Sequence, residues 1–153
     1  MSASELAEVI DRAHQALDAF QKGDPAPVLQ LFSQRDDVTL ANPFGPPARG
    51  SDAVVEAAER AATNYREGEA VGFERVSGYE TPDLAYIVEL ESYRSKVGGA
   101  EDITPLALRV TTVFRREEEG WRIVHRHADP ITSARPADSV LTTVPPAQPA
   151  AQP

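Results

Sequence analysis

The sequence predicts an α+β fold: a curved, mostly antiparallel sheet covered on one face by three helices from the N-terminal half, with a pocket enclosed between them. Two observations carry this. Apolar residues recur at three- and four-residue spacing early in the chain and alternate with period two later. The resulting order is helix, short helix, strand, helix, then four strands, and helices grouped ahead of antiparallel strands indicate α+β rather than a doubly wound sheet. A length of 153 residues suits one domain with a sizeable core.

Residues 4–22 read as the first helix. Leu6, Ile10, Ala13, Leu17 and Phe20 form one apolar stripe, Ser2 and Glu5 fit a capping box, and Gly23 stops the helix. Asp24 then caps a short second helix that has Pro25 in its first position. Asp37–Asn42 reads as a short strand, ended by the turn-rich Asn42-Pro43-Phe44-Gly45-Pro46-Pro47. A third helix runs from Ser51 to about Arg66, with Val54, Val55, Ala58, Ala61, Ala62 and Tyr65 on its inner side. Strands follow at 70–79 and at Asp83–Val97. In the second of these, Leu84, Tyr86, Val88 and Leu90 share one face, and Ala85, Ile87, Glu89, Glu91 and Tyr93 the other.

Arg109–Asp129, RVTTVFRREEEGWRIVHRHAD, is the most informative stretch. It reads as a long β-hairpin turning at Glu117–Gly120. Val110, Thr112 and Phe114 share one face of its first strand. Strict alternation puts Trp121, Ile123, His125, His127 and Asp129 on one face of the second, and Arg122, Val124, Arg126 and Ala128 on the other. Residues 1–133 are expected to form the domain. Residues 134–153 read as a disordered Pro/Ala-rich tail, since six of the thirteen prolines and no aromatic residue lie beyond Asp129.

A formal charge of −9 argues against nucleic acid or an anionic membrane as partner. There is no cysteine, so no disulfide, thiolate or cysteine-based metal chemistry is available. No apolar run has signal or membrane-spanning character. The expectation is a cytoplasmic protein.

Helix–Gly-Asp–short helix, then VTLANPFG, RGSDAV and GWRIVHRHAD, resemble the SnoaL-like branch of the nuclear-transport-factor-2-like superfamily over roughly residues 4–130. The last motif also resembles the association (hub) domain of calcium/calmodulin-dependent kinases. The resemblance implies a cone-shaped α+β half-barrel with a deep pocket on its concave side, and a homodimer. It does not imply a single activity, because the superfamily includes steroid isomerases, cyclases, dehydratases, epoxide hydrolases and non-catalytic members. Set against ketosteroid isomerases, the general-base aspartate is replaced by Asn42, the oxyanion tyrosine by Ala16 and the protonated aspartate by Val110. The usual Asp/Tyr/Asp mechanism is therefore not expected.

The expected site follows from that pocket. His127 and His125, about 6.6–6.8 Å apart along one strand face, are the candidate catalytic groups, because imidazole exchanges protons near neutral pH. Asn42, Tyr86, Tyr65, Thr112, Phe114, Trp121 and His14 are the candidate ligand contacts. A His-x-His-x-Asp row can hold a metal, with His14 as a further ligand, yet the motif reads as pocket wall, and neither metal nor cofactor is expected. Glu89 and Glu91, with Arg109 and Arg126, read as charges on the convex side: a solvated face or a dimer interface. If the faces are reversed, Glu89 and Arg109 line the pocket. Two functions compete. One is a binder of a small apolar organic molecule, acting as a cofactor-independent lyase or isomerase of dehydratase or cyclase type. The other is a non-catalytic homodimeric binding or assembly domain.

Overall fold

A computed structural model describes residues 4–142. Helix α1 spans Glu5–Phe20, α2 Ala26–Leu29 and α3 Ser51–Ala62. The strands are β1 Thr39–Ala41, β2 Ala48–Arg49, β3 Tyr65–Glu80, β4 Leu84–Val97, β5 Thr104–Glu117 and β6 Gly120–Asp129. They form one open six-stranded sheet in the order β2-β1-β6-β5-β4-β3. All neighbours are antiparallel except β1 and β6, which run parallel. The three helices lie on the inner side of this mixed sheet, as expected of the cone.

Helix α1 begins at Ser4, whose Oγ accepts from the Ala7 amide at 3.1 Å. Ser2 of the expected capping box lies outside the described residues. Leu6, Val9, Ile10, Ala13, Ala16 and Leu17 bury the inner stripe. The end of the helix is tied to β3, where Asp18 Oδ1 accepts from the Ala70 amide at 2.8 Å and Lys22 Nζ donates to Asp18 and to the Gly68 carbonyl. Asp24 Oδ1 accepts from the Ala26 amide and so opens α2.

Helix α3 starts at Ser51 but stops at Ala62, because the chain is already pairing at Tyr65. β3 is correspondingly longer than its alternation shows. It pairs with β4 over its whole length, but the register slips between Arg66 and Glu69, Ala70 and Gly72, and Arg75 and Ser77. Each slip resets the period-two pattern and hides the strand from it. The two-residue β2 carries too little pattern to be seen in sequence.

The faces of the sheet need two corrections. On β4 the inner face is Ala85, Ile87, Glu89, Glu91, Tyr93 and Ser95, all buried; Leu84 and Tyr86 are exposed on the outer face. An apolar count points the wrong way here, because the two inner glutamates are neutralised by partners rather than by water. On β6 alternation fails in the middle. Val113 pairs with His125 and Phe114 with Ile123, so Val124 and His125 together oppose Val113. This bulge shifts the phase by one residue. Trp121 and Ile123 point inward before it, Arg126 and Ala128 after it, and His127 is exposed.

Beyond β6, residues 134–142 are exposed and include one 3-10 turn at Ala137–Val140; the rest of the expected tail lies outside the described residues. Among the described residues no helix is long and apolar enough to cross a membrane.

Candidate functional site

The inner side of the sheet and the three helices bound a slit with a cavity volume of ≈ 50 Å³. α1 contributes Leu17, Phe20 and Gln21, α2 Val28, and α3 Ala58 and Ala61. The mouth is made by Asn42, Pro43 and Phe44, and the sheet adds Tyr65, Tyr93, Leu108, Arg126 and Ala128. Ala58 and Ala61 put only methyl groups on the α3 side of the slit.

A buried charge network forms one wall. Arg126 grips Glu91 with both Nη atoms, at 2.7 and 2.9 Å, and the Tyr93 hydroxyl donates to the same carboxylate at 2.5 Å. Burial opposes the charge on Arg126, but the facing Glu91 carboxylate more than offsets this and holds the guanidinium more strongly protonated than usual. Burial, then the Glu91 charge, pushes the Tyr93 hydroxyl well above its ordinary range. Tyr65, packed between Phe20 and Phe44, is pushed up to about 12 by burial. All three groups are thus fixed in their protonated forms at neutral pH.

A smaller chamber shares Leu17, Val28 and Arg126 with the slit and is also lined by His14, Glu89, Glu91, Thr112 and Phe114. His14 stacks on Phe73 with ring centroids 3.8 Å apart, and its Nε2 lies 2.8 Å from Glu89 Oε1. Arg75 Nε donates to the other oxygen of Glu89 at 3.0 Å. Burial alone raises the pKa of Glu89, but the bonds and charges of His14 and Arg75 outweigh it and leave the carboxyl below its usual value.

The expected site residues therefore divide. Asn42 and Tyr65 line the slit, and His14, Thr112 and Phe114 the smaller chamber. Asn42 is also a turn-former, its Oδ1 accepting from the Phe44 amide at 2.9 Å. Trp121 is buried in the core below Arg116, away from both cavities. Tyr86 stands on the outer face beside Tyr79.

His125 and His127 do not reach either cavity, because the bulge turns them outward. His125 Nδ1 is 2.7 Å from Thr39 Oγ1, and burial, then the neighbouring His127, lowers its pKa. His127 is half exposed, with Nε2 3.1 Å from Asp129, which Arg109 also grips. Arg109 is exposed on this outer side and Glu89 is inside, so the reversed-face alternative holds for the glutamate alone. Three inner groups escaped the sequence reading: Gln21, Tyr93 and Arg126. The first ends a helix, Tyr93 sits on the β4 face that the apolar count turns outward, and Arg126 follows the β6 bulge that strict alternation misses.

Solved structures share this architecture. A presumed calcium/calmodulin-dependent protein kinase type II association domain from Thiobacillus denitrificans superimposes with a TM-score of 0.63 at 21% identity, covering 81% of this chain and 93% of its own. A presumed dehydratase of the nuclear-transport-factor-2-like family from Streptomyces avermitilis gives 0.67 at 19%, covering 84% and 95%. A ketosteroid isomerase-like protein from Erwinia carotovora gives 0.68 at 21%, covering 86% and 100%. At such identities the likeness establishes the fold alone. No curated protein matches the chain. The SnoaL-like domain profile matches residues 8–132, from the second turn of α1 to just past β6. Most of the chain, including every element that builds the slit, thus falls within one family, and this protein belongs to the SnoaL-like domain family.

Proposed function

We propose that this protein binds a small, mostly apolar organic molecule in the slit and carries out on it a cofactor-independent lyase or isomerase step, of the dehydratase or cyclase kind. The observation that carries the reading is the slit itself: a largely apolar cavity, built into the family's fold, with a few convergent polar groups. The names of the dehydratase and isomerase relatives point the same way.

His14, in the smaller chamber that adjoins the slit through Leu17, Val28 and Arg126, is the proposed proton-transfer group, for a ligand that reaches from the slit into that chamber. Glu89 holds one ring nitrogen and Phe73 fixes the ring plane, so the other nitrogen is oriented to exchange a proton. The test combines two measurements. Native mass spectrometry of the purified protein should show a retained small molecule. His14→Phe, which keeps the stack on Phe73, should retain that molecule yet lose turnover by about 100-fold or more, the lower end for general acid–base catalysis. Normal turnover by the variant would remove His14 from the chemistry.

The second reading, a non-catalytic binder, is favoured by one specific feature. The charged groups lining the main slit satisfy one another, which leaves no free base there. On that reading the retained molecule is recovered chemically unchanged from prolonged incubation with the protein.

We also propose a homodimer through the outer face of the sheet. Tyr79 and Tyr86 stack there, 64% and 40% exposed, with Leu84 beside them. Val113 and Val124 are also on that face, half-buried, while Ile87 points inward. An exposed apolar patch of this kind usually marks an interface. Sedimentation velocity should give a dimer at micromolar concentration and a monomer for Tyr86→Glu; a wild-type monomer would end the idea.

A further inference from the structure

Two residues that line the slit, Gln21 and Tyr65, carry polar atoms the protein leaves unmatched. Gln21, the residue that caps α1, is 2% exposed, and its Oε1 has no hydrogen-bond partner. A buried acceptor in that state is costly unless something else donates to it. The Tyr65 hydroxyl, at the start of β3, likewise has no hydrogen-bond partner among the described residues. Both residues line the same cavity.

The remaining charge in the slit is already used. Both Nη atoms of Arg126 are committed to Glu91. A ligand carboxylate or phosphate would find no free cation and would lie close to a buried carboxylate. An uncharged ligand meets no such obstacle. Gln21 Oε1 requires a donor, and Tyr65, fixed in its protonated form, supplies a donor of its own. A hydroxyl is the simple uncharged group that answers both, donating to one and accepting from the other. The small volume of the slit requires that the rest of the molecule be small.

We propose that the slit selects an uncharged, mostly apolar, hydroxyl-bearing molecule, an alcohol or phenol, with Gln21 and Tyr65 as the residues that recognise the hydroxyl. This rests on the slit being the binding site and narrows its ligand class.

The test uses three probes of one shape, benzyl alcohol, toluene and benzoate, each titrated into the full chain and followed by protein NMR. Benzyl alcohol should bind at least about fivefold more tightly than toluene, and benzoate most weakly. Gln21→Leu and Tyr65→Phe should each bring benzyl alcohol down to the toluene level and leave toluene binding unchanged. The wild-type comparison does not depend on either variant folding. Equal affinity for benzyl alcohol and toluene overturns the hydroxyl recognition while leaving the slit as a binding site. Benzoate binding most tightly overturns the exclusion of charge. Failure of all three probes to perturb any slit residue overturns the site reading, and this inference with it.

Discussion

Arg126→Met will cost about 3–5 kcal/mol of folding stability, the usual price of removing one partner from a buried ion pair. The expectation follows from where the pair sits. Arg126 and Glu91 are both buried, between the slit and the smaller chamber, and the guanidinium makes two of the three hydrogen bonds that Glu91 receives. Methionine fills most of the space but donates nothing, so Glu91 is left with the Tyr93 hydroxyl alone. The double variant Arg126→Met/Glu91→Leu should recover most of the loss, because replacing a whole buried pair by apolar groups is often close to neutral. Urea denaturation of the two variants and the parent measures both effects. A single-variant loss below about 1 kcal/mol, the range of exposed pairs, would mean that water reaches Glu91 and that the wall is not dry.

The second large effect is expected at Gly68. A Cβ built there would lie 2.5 Å from Ser95 Oγ, 2.7 Å from the Arg94 carbonyl oxygen and 2.7 Å from the Gln21 carbonyl oxygen. Two of these are backbone atoms that cannot swing aside. The Gly68 amide also donates to that Gln21 carbonyl at 3.0 Å, so the glycine is the point where the end of α1 is fastened to β3. Gly68→Ala must push the two apart. The cost should lie near 3 kcal/mol, the upper end for overpacking, or roughly 6–12 °C in Tm for a domain of this size. Gly99→Ala is the control, because nothing lies within 4 Å of a Cβ there. If both variants melt together, the contact between α1 and β3 is softer than the distances imply.

The fold was legible because long amphipathic patterns survive tertiary context. The α1 stripe and the β5–β6 turn at Glu117–Gly120 fall where periodicity places them. The site was less legible, for one physical reason acting twice. Alternation assigns faces only while the ladder keeps its phase, and it assumes that charges point to water. Val124 breaks the first condition and carries His125 and His127 to the outer side. Glu89 and Glu91 break the second, since His14, Arg75, Arg126 and Tyr93 stand in for solvent around them. His14, beside the α1 stripe, lines the smaller chamber, and Tyr65, read as part of α3, lines the slit from the start of β3 instead. Gln21 had no signal at all: a glutamine at the end of a helix reads as surface.

The slips along β3 have a further consequence, for how copies of this chain meet one another. β3 is the last strand in the sheet order and, at 16 residues, the longest among the described residues. A straight strand of that length with one free side is a template on which another chain can add itself and start a fibril. Here three register shifts break the strand into short runs, and the Gly68 and Ala70 amides are already taken by the end of α1. Glu67, Glu69, Glu74, Arg75 and Glu80 place charges along it, on a chain already carrying −9. The irregularities that obscure β3 in the sequence thus also act as its guard against aggregation, leaving this long strand poorly fitted to recruit another.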